Sequence, residues 1–100
     1  NISGDGSNFK LYNWGIITVD NDLTMVNVTL ENKITGKIIV FGDMSLDGTG
    51  SGSYINAGFV QSDNFYFKNI TSFSNTGTTV MVIGILILLY LQIHLQLLVM

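Results

Sequence analysis

One hundred residues with 47% hydrophobic content suffice for one small domain with a core of its own. A formal charge of −3, with four scattered lysines and no arginine, excludes the concentrated basic face that nucleic acid requires. The lack of cysteine excludes a disulfide framework, thiol catalysis and Cys-ligated zinc, and lets such a chain live outside the cell without mispairing.

The apolar residues are unevenly spread. Residues 1–79 are rich in Gly, Ser, Thr, Asn and Asp, whereas residues 80–100 are almost wholly apolar and no charged side chain follows Lys68. This divides the chain into a β-rich repeat domain, 1–79, and a hydrophobic assembly or membrane segment, 80–100. The opening Asn1-Ile-Ser-Gly-Asp-Gly6 is not a secretion signal, which reads as a mature product or a fragment.

In chain order, residues 2–8 read as a turn, because Asp-Gly and Gly favour positive φ. Phe9 to Val19 has strand composition, interrupted at Asn13 and Gly15. Asp20-Asn-Asp22 turns the chain into Leu23–Leu30, whose β-branched residues favour strand over helix. Asn32 to Lys37 turns through Gly36, and Ile38–Phe41 is a short apolar run suited to a strand buried on both faces. The glycine-dense segment Met44–Ser53 cannot be helical, since each interior Gly costs about 1 kcal/mol, and it reads as a turn. Tyr54–Val60 and Phe65–Phe73 are further strands, separated by a turn at Ser62-Asp-Asn64.

The segment from Asn21 to Asn32 occurs again 42 residues later, from Asp63 to Ser74. Leu23 falls on Phe65, Met25 on Phe67, Asn27 on Asn69, Val28 on Ile70 and Thr29 on Thr71. In the same register Ser3, Asp5 and Gly6 fall on Ser45, Asp47 and Gly48, and Ile38–Gly42 falls on Val80–Gly84. Three separated matches in one register mark an internal repeat. A period of 42 fits one propeller blade or two solenoid coils of about 21 residues. Apolar residues recur at the half period, from Leu23 and Met25 to Met44 and Leu46 and on to Phe65 and Phe67, which favours coils. The expected fold is therefore all-β: a short-stranded β-solenoid with an apolar C-terminal segment that is helix or strand.

Stretches such as Leu46-Asp-Gly-Thr-Gly50, followed by Asn64-Phe-Tyr-Phe-Lys-Asn-Ile-Thr71, resemble the coil turn and strand of right-handed parallel β-helices. These belong to the pectate-lyase-like superfamily and to adhesin-like surface repeat proteins, and the likeness covers residues 1–84. The sugar-cleaving members use clustered Asp with His, Arg and Lys. Here Asp43 and Asp47 are the nearest carboxylate pair, with no Arg and no nearby His, so the resemblance implies the fold without the enzyme.

Past Gly84 the repeat gives way to Ile85–Leu91, then to Gln92, His94 and Gln96 alternating with Ile93, Leu95 and Leu97. A helix over 80–100 would be about 32 Å long, enough to cross a bilayer, whereas the alternation at 91–97 reads as a strand with one polar face. A misassigned end of a longer repeat array is the third reading.

Candidate chemistry is sparse. His94 is the only histidine and no acidic residue follows Asp63, so a Ser-His-Asp arrangement lacks local partners. Asp20, Asp22, Asp43 and Asp47 offer hard oxygens without a calcium-loop pattern, and the glycines at 48–52 lack the Walker lysine and the dinucleotide spacing. No catalytic residue, cofactor or metal is expected. The positive signal is three glycosylation sequons, at Asn1, Asn27 and Asn69. Asn27 and Asn69 share a repeat position, so they either carry glycans outward or stack inward as an amide ladder; both readings stay open. The expectation is a non-enzymatic extracellular or cell-surface glycoprotein, an adhesin or self-assembling fibre subunit, whose partners are copies of itself and glycans. The alternatives are a membrane-anchored ectodomain held by residues 80–100 and a fragment of a polysaccharide-active β-helix enzyme.

Overall fold

The computed structural model describes residues 2–3, 9–83 and 86–89. Among them every regular element is a strand, and every pairing is parallel. The chain winds as a parallel β-solenoid of about 3 turns, with coil spacing near 21 residues.

Each coil lays down three faces. The first stacks β1 (Ile2–Ser3), β4 (Leu23–Val26), the start of β7 (Met44–Asn56), the start of β9 (Phe65–Asn75) and β11 (Leu86–Leu89). The second stacks β2 (Phe9–Asn13), β5 (Val28–Asn32) and the ends of β7 and β9. The third stacks β3 (Ile16–Val19), β6 (Lys37–Val40), β8 (Phe59–Ser62) and β10 (Thr78–Met81).

The half-period matches are real neighbours. Leu23 pairs with Met44 and Met44 with Phe65; Met25 pairs with Leu46 and Leu46 with Phe67. Because side chains alternate across a strand, each matched residue points inward over its predecessor and forms a continuous apolar column. Met25, Met44, Leu46, Phe65 and Phe67 are at most 1% exposed. The core becomes aromatic toward the later coils. Tyr54 stacks on Phe73 at 4.8 Å between centroids, and Phe67 meets Phe73 edge-on at 5.1 Å.

Four boundaries differ from the sequence reading, the first being Ile2–Ser3, which pair with β4 as a strand where a turn over 2–8 is expected. The strand expected over Leu23–Leu30 is broken at Asn27, which adopts φ 57° and turns the chain from the first face to the second. The glycine-dense segment is not a plain turn, because β7 runs through it with register shifts between Asp47 and Ser53. The strand expected over Tyr54–Val60 is interrupted at Ala57-Gly58, where the second face turns into the third. The tail keeps the repeat further than expected: Leu86–Leu89 pair in register with Phe65–Lys68, so Leu86–Leu89 is strand. Among the described residues no helix is long and apolar enough to cross a membrane.

Candidate functional site: the polar corners

Apolar columns fill the inside of the faces, and the polar side chains with the densest hydrogen bonding lie at the three corners. The corner between the second and third faces carries an unbroken asparagine column. Asn13 Nδ2 donates to Asn32 Oδ1 at 2.9 Å, Asn32 Nδ2 to Asn56 Oδ1 at 2.9 Å, and Asn56 Nδ2 to Asn75 Oδ1 at 2.8 Å. All four amides are buried. They also satisfy the turning backbone: Asn32 Nδ2 donates to Gly36 O and Asn56 Nδ2 to Thr78 O, while Asn56 Oδ1 accepts from Gly58 N. A buried amide with every donor and acceptor engaged stabilises a tight corner that water cannot reach.

Beside this column runs a glycine column. Gly15 O accepts from Lys37 N, Gly36 O from Phe59 N and Gly58 O from Thr78 N. A methyl group on Gly36 would collide with Asn13 O, one on Gly58 with Gly36 O, and one on Gly77 with Gly58 O. Here glycine is required because the preceding coil's backbone lies directly over the Cα.

The amide ladder thus exists, but not where the repeat placed it. Asn27 and Asn69 occupy the corner between the first and second faces. Both are left-handed, at φ 57° and 52°, and Thr49 at φ 49° stands between them in the intervening coil. Asn is among the few residues that tolerate this region, through short local hydrogen bonds. Thr49 Oγ1 lies 2.9 Å from Asn27 Oδ1 as donor, and Asn69 Nδ2 reaches Asp47 Oδ1 at 3.4 Å. Asn27 is buried and Asn69 half-buried. Asn1 lies outside the described residues, as does His94.

The third corner holds the acidic residues. Asp22 Oδ1 accepts from Asp43 N at 2.8 Å, and Asp43 Oδ1 accepts from Asn64 Nδ2 at 2.9 Å. Asp47, at the corner between the first and second faces, accepts from Thr49 N. Asp43 and Asp47 therefore serve separate corners as hydrogen-bond acceptors for turning backbone and amides. Among the described residues no group of three His, Cys, Asp or Glu side chains is placed to hold a metal. Among the described residues the one strongly perturbed ionisable group is structural. Burial pushes the Tyr54 hydroxyl far above its usual range, only partly offset by its 2.7 Å hydrogen bond with Thr79 Oγ1.

The asparagine column escapes a constant-period search because its spacings are 19, 24 and 19 residues. A step of 21 from Asn13 lands on Ile34, and from Asn32 on Ser53. The signal that finds it is local: Asn-x-Gly at 13–15, 56–58 and 75–77, with two residues inserted in Asn32–Gly36.

Comparison with family models, with curated proteins and with solved structures finds no match to this chain.

Proposed function

We propose that this chain is a non-enzymatic structural module that works by self-association outside the cell or at its surface. The observation that carries the reading is that the buried asparagines and the corner carboxylates described above are spent on the fold. The described corner carboxylates Asp22, Asp43 and Asp47 accept hydrogen bonds from neighbouring backbone or amides, and the buried asparagines bond to one another. A solenoid coil buries its apolar residues only against its neighbours, so such a unit favours stacking on further coils. Glycans at Asn1, Asn27 or Asn69 belong to the same reading, with half-buried Asn69 more open than buried Asn27.

The test is electron microscopy with sedimentation velocity on the purified chain. Concentration-dependent particles of stacked copies support the proposal, and a strict monomer at high concentration overturns it. Intact mass of the natural product decides the glycan element, which fails if only the bare 11.0 kDa chain is found.

A further inference from the structure

The corner between the second and third faces turns through a single residue between its Asn and its Gly in three coils, at Trp14, Ala57 and Thr76. In the coil of Asn32–Gly36 it turns through three, Lys33-Ile34-Thr35. The fold does not need the two extra residues. Asn32 still bonds to Asn13 and Asn56, and Gly36 O still accepts from Phe59 N, as Gly15 O and Gly58 O accept from their own successors. The insertion carries Ile34 out to 80% exposure. Coils are paired on both sides of it, so this exposure belongs to the corner and not to an end of the solenoid.

Ile34 has aromatic company. Trp14, at the same corner one coil earlier, is 61% exposed, and Thr35 Oγ1 donates to its carbonyl at 2.8 Å. The Trp14 ring lies 5.8 Å from that of exposed Tyr12. Lys33 Nζ sits 5.0 Å from the Tyr12 centroid and 5.6 Å from that of Trp14, and it pairs with Glu31 Oε1 at 3.0 Å. The cation thus props both rings against the turn. A coil stacked before Trp14 would lie beside it along the axis, as the first coil lies beside Ile34, and would leave the outer rim of the corner open.

Shape and charge together select what meets this rim. It is convex, the outermost edge of a three-faced coil. A folded protein would have to offer a matching groove, whereas the headgroup region of a bilayer yields to any outline. An aliphatic tip beside two amphipathic rings and lysines is the composition that settles at a membrane–water interface. Lys33 and exposed Lys37 flank the turn, and the one described carboxylate beside them, Glu31, is already paired with Lys33. Every described aspartate lies at another corner: Asp20, Asp22, Asp43 and Asp63 between the third and first faces, Asp47 between the first and second. When this rim approaches an anionic surface, the acidic side of the molecule therefore points away from it.

We infer that the rim formed by Trp14 and Ile34 is an interfacial lipid-binding site. Ile34 and the Trp14 ring enter the headgroup boundary of an anionic bilayer, and Lys33 and Lys37 stay at the level of the lipid phosphates. The contact is on the side of the solenoid, apart from the stacking proposed above and independent of it.

Trp14 is the only tryptophan of the chain, so its fluorescence reports on this rim alone. The test titrates the full chain with vesicles of phosphatidylcholine and phosphatidylglycerol, with Ile34→Asn beside it and far-UV circular dichroism as the check on folding. The expected result is a blue shift of Trp14 emission on binding. For Ile34→Asn, with its β spectrum unchanged, vesicle affinity is expected to fall about tenfold or more. Vesicle binding that leaves Trp14 emission unmoved puts the lipid contact elsewhere in the chain and overturns the inference, as do an absence of binding and equal binding by Ile34→Asn. A blue shift that grows with protein concentration in the absence of lipid assigns the rim to a second copy and likewise overturns it. If Ile34→Asn loses its β spectrum, wild type with acyl-chain-brominated lipid decides: quenching of Trp14 supports the site, and undiminished emission overturns it.

Discussion

Removing one amide from the middle of the asparagine column tests whether that column holds the corners. Asn56, 1% exposed, makes four close hydrogen bonds: Nδ2 to Asn75 Oδ1 and Thr78 O at 2.8 Å, and Oδ1 from Asn32 Nδ2 at 2.9 Å and Gly58 N at 3.0 Å. In Asn56→Ala some partners keep a second bond. Asn32 Nδ2 still reaches Gly36 O at 3.1 Å, and Asn75 Oδ1 still accepts from Thr79 Oγ1 at 3.0 Å. Gly58 N and Thr78 O lose their amide partner. Two stranded groups at about 1–3 kcal/mol each, discounted for their partial burial, give an expected loss of about 2–5 kcal/mol. Against a typical domain stability of about 5–15 kcal/mol, the variant still folds but with a clearly lowered midpoint. Urea unfolding followed by circular dichroism measures the change, with an unaltered m-value confirming that the folded state stays compact. Asn13→Ala is the matched control, because the end rung has no described coil above it and water can replace part of its bonding; about 1 kcal/mol is expected. If Asn56→Ala costs no more than Asn13→Ala, the column is ornament and the reasoning fails.

Thr49→Asn is expected to stabilise by about 0.5–1 kcal/mol, since a β-branched residue at φ 49° is strained and Asn is the residue in the left-handed conformation at 27 and 69 on the same corner; a lower unfolding midpoint would refute this. Gly58→Ala should cost about 3 kcal/mol or more, because its methyl would collide with Gly36 O and Lys33 O, whereas Gly15→Ala should stay within about 0.5 kcal/mol; comparable midpoints for the two would contradict the glycine column. Tyr54→Phe is expected to cost about 1 kcal/mol near neutral pH through the lost Thr79 hydrogen bond. With its folded pKa raised by burial, Tyr54 contributes stability that is complete below the unfolded value near 10 and lost as pH rises above it. The deficit of Tyr54→Phe should therefore shrink and reverse in strongly alkaline urea titrations, and a constant deficit would show that Tyr54 does not titrate with unfolding.

From Leu23 onward the first face was legible because nothing interrupts it. Leu23, Met44 and Phe65 keep one spacing, so the period speaks through them directly. The second face was hidden by two small insertions, one in Asn32–Gly36 and one in the glycine-dense part of β7, which shift the asparagines out of step. The same shift made Asn27 and Asn69 look like the ladder when they are left-handed corner residues. The break at Asn27 was invisible for a different reason: Leu23–Leu30 has continuous strand propensity, and a single αL residue changes direction without changing composition. The apolar tail offered helix and strand alike, and only partnership with Phe65–Lys68 selects strand over Leu86–Leu89.

These differences point to a division of labour between faces and corners. The apolar columns tolerate exchange of Met, Leu and Phe, so by themselves they define an inside without fixing which residue sits over which. Register comes from the amides. A slip of one residue would turn each asparagine to the other side of its strand and leave the turning backbone groups it bonds, such as Gly58 N and Thr78 O, without their amide partner. Because the asparagine column restores register at each coil, the stretches between rungs are free to differ in length, as the spacings of 19, 24 and 19 residues record. Insertions at such corners leave the ladders above and below intact. The coil can therefore change its outer surface at the corners while the parallel pairing and the amide polarity between described coils are kept.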